Sequence, residues 1–168
     1  NRSAGRRTRW LVIGAAVVAV FNSTSSLAQT RVEFHMLPAV STGPMDPAWS
    51  PDGEWIAFSM RGDIWKVLAK GGEAIALTEG PAYHFEPAWS RDGTMIALTY
   101  EIESDLEIGI VAASGGPVQR ITNSLGYDLQ PAWSADDRQV LFASRRNGGF
   151  DIFSVHPITP ANIANGKF

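Results

Sequence analysis

The tetrapeptide Pro-Ala-Trp-Ser occurs three times in this chain, at Pro47 to Ser50, Pro87 to Ser90 and Pro131 to Ser134, and each copy opens the same longer segment. The repeats read Asp46-Pro-Ala-Trp-Ser-Pro-Asp-Gly-Glu-Trp-Ile-Ala-Phe58, Glu86-Pro-Ala-Trp-Ser-Arg-Asp-Gly-Thr-Met-Ile-Ala-Leu98 and Gln130-Pro-Ala-Trp-Ser-Ala-Asp-Asp-Arg-Gln-Val-Leu-Phe142, without a gap. The likeness continues through an acidic residue before an apolar stretch (Asp63-Ile64-Trp65, Glu107-Ile108-Gly109, Asp151-Ile152-Phe153). Gly71-Gly72 and Gly115-Gly116 follow, then Leu77-Thr78 and Ile121-Thr122. A period of roughly 40 residues marks stacked supersecondary units, none of which buries its apolar face alone.

Within a repeat, the Pro-Ala-Trp-Ser segment reads as a first strand, since a proline at its start need not donate to the ladder. Pro51-Asp52-Gly53 is turn chemistry: proline presets φ, aspartate bonds its own downstream backbone and glycine accepts a positive φ. The third copy of this turn is Ala135-Asp136-Asp137, without the glycine, and a hairpin that is looser or of another type is expected there. Second strands follow at Trp55 to Met60, Met95 to Tyr100 and Val140 to Ser144, apolar enough to be covered on both faces. Third strands are expected at Ile64 to Ala69, Ile108 to Ala113 and Ile152 to His156. After the Gly-Gly turn, fourth strands are expected near Ala74 to Thr78 and Val118 to Thr122.

Four short antiparallel strands per repeat, with no helical period after Ala28, describe an all-β chain of β-propeller blades. The expected blades are 46–85, 86–129 and 130–168, about three, which is fewer than the 4 to 8 of a closed propeller. A β-sandwich also uses short strands and Gly/Pro turns, but it requires no identity at such a period. Trp49, Trp89 and Trp133 hold equivalent positions, where an indole fills the wedge between neighbouring blades. Burial of about 200 Å² would then be worth at most about 5 kcal/mol each. Asp52, Asp92 and Asp136 are the matching structural turn residues.

The first 28 residues pose a different problem. Arg2, Arg6, Arg7 and Arg9 precede an apolar run from Trp10 to Phe21 and a polar stretch ending Ser26-Leu27-Ala28. This is the pattern of a secretory signal peptide helix cleaved near Gln29, and the run is too short for a stable membrane span. Arg6-Arg7 also permits a twin-arginine reading, which the following Thr8-Arg9-Trp10-Leu11 fits poorly. The stretch 29–45 is a linker, or supplies through Arg31 to Val40 a strand that closes the ring.

Without residues 1–28, 10 Lys and Arg stand against 17 Asp and Glu, a balance of −7. Such a surface repels polyphosphate, so nucleic acid is not an expected partner. The absence of cysteine excludes disulfides, thiolate catalysis and Cys-ligated metal. The chain begins at Asn1 and stops at Phe168, before the third repeat reaches its Leu-Thr equivalent, as expected of part of a longer reading frame.

The ordered motifs Pro-Ala-Trp-Ser-Pro-Asp-Gly, Trp-Ile-Ala-Phe, Asp-Ile-Trp, Gly-Gly and Leu-Thr, covering about Asp46 to His156, resemble the TolB-type propeller repeat, a relative of the WD repeats. The resemblance implies a secreted or periplasmic propeller serving as a binding platform, or a propeller placed before a hydrolase domain. Examples of the latter are tricorn-like peptidases, prolyl-oligopeptidase relatives and certain amidohydrolases. TolB proteins carry an α/β domain between leader and propeller, whereas here only the short 29–45 stretch intervenes.

The residues offer no catalytic set. Ser50, Ser90 and Ser134 lie two positions before an aspartate, and His35, His84 and His156 are present, but no Gly-x-Ser-x-Gly elbow exists. A residue repeated in every blade is structural by default. The histidines share no metal-ligand spacing. Glu101, Glu103, Asp105 and Glu107 alternate in a loop lacking the glycine and Asp/Asn pattern of a calcium site, and a solvated acidic loop is expected. Arg61-Gly62-Asp63, although an adhesion tripeptide elsewhere, sits in the turn between strands two and three.

Asp46, His84, Glu86, Asp128 and Gln130 precede or enter the innermost strands and form the expected ligand-binding rim, varied in identity on a fixed scaffold. The expected function is a non-catalytic secreted or periplasmic module that binds protein or peptide at the channel face, with no cofactor and no metal. The alternative is the substrate-orienting N-terminal propeller of a larger exported hydrolase.

Overall fold

The computed structural model of the chain describes residues 43–157, and all of the described secondary structure is strand. The leader, the 29–45 stretch up to residue 42 and the last residues of the third repeat lie outside the described residues.

The first blade comprises β1 (Met45–Trp49), β2 (Trp55–Met60), β3 (Asp63–Leu68) and β4 (Ile75–Ala76), in the sheet order β1-β2-β3-β4. The second repeats it with β5 (Tyr83–Trp89), β6 (Met95–Ile102), β7 (Asp105–Ala112) and β8 (Gln119–Arg120). The third has β9 (Asp128–Trp133), β10 (Val140–Ser144) and β11 (Asp151–Val155) among the described residues. Every described pairing is antiparallel. The first strands start earlier than Pro-Ala-Trp-Ser alone indicates, and β4 and β8 shrink to two residues.

The alternation of side chains along each strand distributes them between two neighbours. On the second blade, Ile96, Leu98, Tyr100 and Val111 pack with Ala57, Ile64 and Leu77 of the first. Its opposite face supplies Ala97, Ile108 and Ile110, which pack with Val140 and Phe142 of the third. The core is therefore two layers between three sheets, which is why the middle strands are apolar on both faces. First strands lie beside one another, β1 next to β5 and β5 next to β9. They form the inner edge of a fan whose fourth strands stand at the outer edge.

Two of the indoles fill the wedge as expected. Trp89 packs on the first layer and donates Nε1–H to the Ala48 carbonyl at 3.1 Å; Trp133 packs on the second and donates to the Ala88 carbonyl at 3.0 Å. Trp49 is 62% exposed, because no blade precedes its own among the described residues.

The third hairpin is not looser than the others. Asp137 adopts φ 56°, beside 73° at Gly53 and 72° at Gly93. Its amide donates to the Ser134 carbonyl at 3.0 Å, as Gly53 and Gly93 do to Ser50 and Ser90 at 2.9 and 3.0 Å. Aspartate tolerates the left-handed region better than most residues. Here its carboxylate also takes the amides of Arg91 and Asp92 in the preceding blade at 2.7 and 2.9 Å.

Candidate functional site

The inner edge is shaped by a bulge that recurs in each blade. The β1–β2 register slips between Met45 and Ala48, the β5–β6 register between Phe85 and Ala88, and the β9–β10 register between Leu141 and Ala143 on β10. At each slip the residue before proline is left-handed: Asp46 at φ 50°, Glu86 at 54°, Gln130 at 56°. The proline that follows has no amide for the ladder, so the strand bends there without forfeiting a bond.

These three share one position on adjacent first strands. Asp46 and Gln130 are exposed and Glu86 is half-buried. Asp46 Oδ2 accepts from Ser59 Oγ at 3.1 Å, while Glu86 Oε2 accepts from Thr99 Oγ1 at 2.8 Å and from the Gln130 amide at 2.8 Å. Glu86 thus joins the second blade to the third, an end-capping role alongside any ligand role.

His84 and Asp128 occupy a second position, two residues earlier, and both are buried. His84 Nδ1 lies 3.3 Å from Asp63 Oδ1 of the first blade. Burial pushes its pKa below 6.5, against the opposing pull of Asp63, so the ring is neutral at pH 7. Asp128 Oδ2 accepts from Arg146 Nη2 at 2.9 Å, and both its oxygens accept from Ser124 Oγ at 3.1 Å. The structure therefore brings Asp46, Glu86 and Gln130 together on the accessible edge and sets His84 and Asp128 beneath the surface.

Glu107 is not part of a solvated loop. It is fully buried, bonded to Arg120 and to the Thr122 hydroxyl, and it accepts the Ser124 amide at 3.2 Å. Asp63 holds the equivalent place and accepts from Thr78 Oγ1 at 3.0 Å. In both blades the threonine hydroxyl accepts the amide of the next isoleucine, Thr78 from Ile64 and Thr122 from Ile108, each at 2.9 Å. The acid and the Leu-Thr or Ile-Thr pair thus lock strand three to the segment after strand four. The repeat alignment already placed these residues in register; only their pairing was unread.

The serines are committed to turns. Ser90 Oγ donates to Asp92 Oδ1 at 2.7 Å and accepts the Met95 amide at 2.9 Å; Ser134 does the same with Asp136 at 2.7 Å and Gln139 at 3.0 Å. Ser50 bonds Asp52 and accepts the Trp55 amide at 2.9 Å. Their partner is an acceptor carboxylate and not an imidazole, so no activated hydroxyl results. Among the described residues, no group of three or more His, Cys, Asp or Glu is placed to hold a metal ion. No helix of the described residues is long and apolar enough to cross a membrane. A depression of about 430 Å³ lies at the outer edge, between Ala76, Leu77, Glu79 and the 114–117 turn, on the side opposite the bulges.

The profile of the tricorn protease N-terminal β-propeller domain matches residues 52–161. Among solved structures, TolB from Acinetobacter baumannii is 25% identical, with a TM-score of 0.60 over 70% of this chain and 32% of its own. The tricorn protease is 17% identical, with a TM-score of 0.54 over 70% of this chain and 14% of its own. The isopeptidase AtxE2, solved with Astexin3-dC4 bound, is 14% identical, with a TM-score of 0.52 over 77% of this chain and 31% of its own. The chain therefore spans about a third of the TolB chain or less of these relatives. No curated protein matches it significantly. A profile match over well more than half of 168 residues, on blades built from the same repeated turn and indole, shows that the chain belongs to the tricorn protease N-terminal β-propeller family.

Proposed function

We propose that the chain is a non-catalytic module of an exported protein, and that it binds protein or peptide ligands along the inner edge of its blades. The observation that carries this reading is the recurring left-handed bulge. It sets Asp46, Glu86 and Gln130 at one position on three adjacent strands, while Ser50, Ser90, Ser134, His84 and Asp128 are held by bonds within or between the blades. A strained backbone kept at a polar edge in each blade is a site-building feature, and residues that vary on it set ligand preference. The −7 balance beyond residue 28 favours ligands bearing Lys or Arg. AtxE2 was solved with Astexin3-dC4 bound, which is consistent with peptide-sized ligands for propeller-bearing proteins. The Arg-rich, apolar 1–28 pattern supports export to the periplasm or beyond.

A second reading is favoured by the family match itself, which is to the N-terminal propeller domain of a protease: the module orients or filters substrate for a larger exported hydrolase.

A peptide array probed with the full chain, followed by fluorescence anisotropy on the hits, tests the first reading. Saturable binding of basic peptides is expected, weakened at least tenfold by the double change Asp46→Lys and Gln130→Lys, with a cooperative melting transition retained. Peptidase or amidase turnover by this chain, abolished by Ser90→Ala or His84→Ala, would overturn it.

A further inference from the structure

The β6–β7 hairpin of the second blade reaches further than its counterpart in the first. Both close on a two-residue turn, with Met60 facing Asp63 in one and Ile102 facing Asp105 in the other. The equivalent acids lie at the first residue of β3, Asp63, and at the third of β7, Glu107, so the second hairpin projects two residues more, about 7 Å at the rise of a strand. Its tip carries Ile102, 43% exposed, between Glu101 and Glu103, with Asp105 across from it. Glu103 and Ser104 hold the turn at φ 52° and 69°, a conformation that glycine takes without strain. Among the described residues, no ion pair engages Glu103.

Beside this acidic tip lies a surface of opposite charge. Successive turns of an antiparallel meander fall on alternate ends of its sheet, which puts the β6–β7 tip, the 123–127 segment and the β10–β11 turn at the same end. The 123–127 segment is pinned on both sides. The Ser124 amide donates to Glu107 Oε1 at 3.2 Å, and the Arg145 amide donates to the Tyr127 carbonyl at 3.0 Å. A Cβ on Gly126 would stand 3.2 Å from the Arg145 and Arg146 backbone, so the segment rests directly on the β10–β11 turn. Between these anchors Leu125 is 96% exposed, an aliphatic side chain that buries nothing within its own chain. Arg120, Arg145 and Arg146 border the segment, three of the 10 Lys and Arg that follow residue 28. Arg120 and Arg146 are bound to the buried Glu107 and Asp128, whereas Arg145 is exposed, its guanidinium 5.5 Å above the Phe150 ring.

We propose that this end of the second and third blades is a self-association surface, on which two copies of the chain pair about a two-fold axis. The β6–β7 tip of each copy is seated on the Leu125 and Arg145 surface of the other. A two-fold interface needs both halves of a complementary pair on one face of a single molecule, because residue i then meets j while j meets i. That condition is met here. One half is apolar and acidic (Ile102, Glu103), the other is apolar and basic (Leu125, Arg145), and the pinned 123–127 segment joins them. Burial of Leu125 and Ile102 supplies attraction, and the charges set the register. With a balance of −7 beyond residue 28, two copies repel at most approaches, and this one places acid against arginine.

Charge exchange tests this, read by sedimentation velocity on the full chain at low salt. Arg61 stands at φ 56° in the equivalent turn of the first blade, so Glu103→Arg suits its own turn, and Arg145→Glu alters an exposed side chain. Each variant by itself is expected to dimerise roughly tenfold more weakly than the wild type, because like charges then meet at both contacts. An equimolar mixture of the two is expected to recover wild-type dimerisation, since every altered charge then faces its complement. Leu125→Ser is expected to weaken dimerisation at low and at high salt alike. A wild-type chain that stays monomeric, as it would if this surface served a foreign acidic partner, overturns the proposal. So does a mixture that associates no better than either variant, the result expected if copies join through the open faces of the first and third blades.

Discussion

An indole that is half-buried between two sheets and bonded to a backbone carbonyl contributes in two separable ways. Trp133→Phe removes only the Nε1–H donor to Ala88 and is expected to cost about 1 kcal/mol, while Trp133→Ala also opens a cavity and is expected to cost about 3 kcal/mol. Trp49 has the same neighbours in sequence but, among the described residues, no blade in front of it, so Trp49→Ala is expected to cost about 0.5 kcal/mol or less. Urea denaturation of the three variants checks this order. If Trp49→Ala matches Trp133→Ala, the wedge account fails, because identical residues would then contribute equally in unequal surroundings.

At the scale of the strand and its turn, hydroxyls matter more than their number suggests. Thr122 accepts the Ile108 amide and donates to Glu107, all of it out of contact with water. Thr122→Val keeps the shape but orphans that amide, and is expected to cost about 1 to 3 kcal/mol. Thr122→Ser retains the hydroxyl and is expected to recover most of the loss in the same urea titration. The turn pair offers a second check: Asp137→Gly is expected to lower the melting temperature, and adding Arg91→Pro to raise it again, since together they recreate the Pro51–Gly93 contact.

Much at this scale was legible in the sequence. The identity of the turns fixed the hairpins, and the apolar run of each second strand fixed which strands are covered on both faces, because both depend on neighbours within a few residues. What escaped notice was between blades. The bulge at Asp46, Glu86 and Gln130 needs the partner register, which a single strand does not state. Glu107 reads as solvated beside three other acids in a loop, yet its Arg120 and Thr122 lie 13 and 15 residues away. The departure at Asp137 reads as a weakened turn until the Arg91 amide of the preceding blade stands opposite it.

For the molecule as a whole, the buried His84 and the carboxylates of the turns predict two steps of acid destabilisation. Burial holds the His84 pKa below 6.5, so between that value and the lower folded one the unfolded chain binds a proton that the native chain refuses. Stability is then complete above pH 6.5 and falls as pH drops through the folded pKa, by at most about 1.4 kcal/mol per pH unit. The turn carboxylates act lower. Ser50 and Ser134 hydroxyls, with nearby amides, hold Asp52 and Asp136 below 3.8. At Asp92 burial works upward but is outweighed by the bonds from Ser90 and Thr94. Their contribution is present above pH 3.8 and is lost as pH falls through their depressed values. Urea midpoints from pH 8 to pH 3 should therefore decline in two windows. His84→Gln, which keeps a donor for Asp63 but does not titrate, should flatten the upper window and leave the lower one intact. A single decline below pH 4 in the wild-type chain would mean that His84 opens to solvent, and with it the seam between the first two blades.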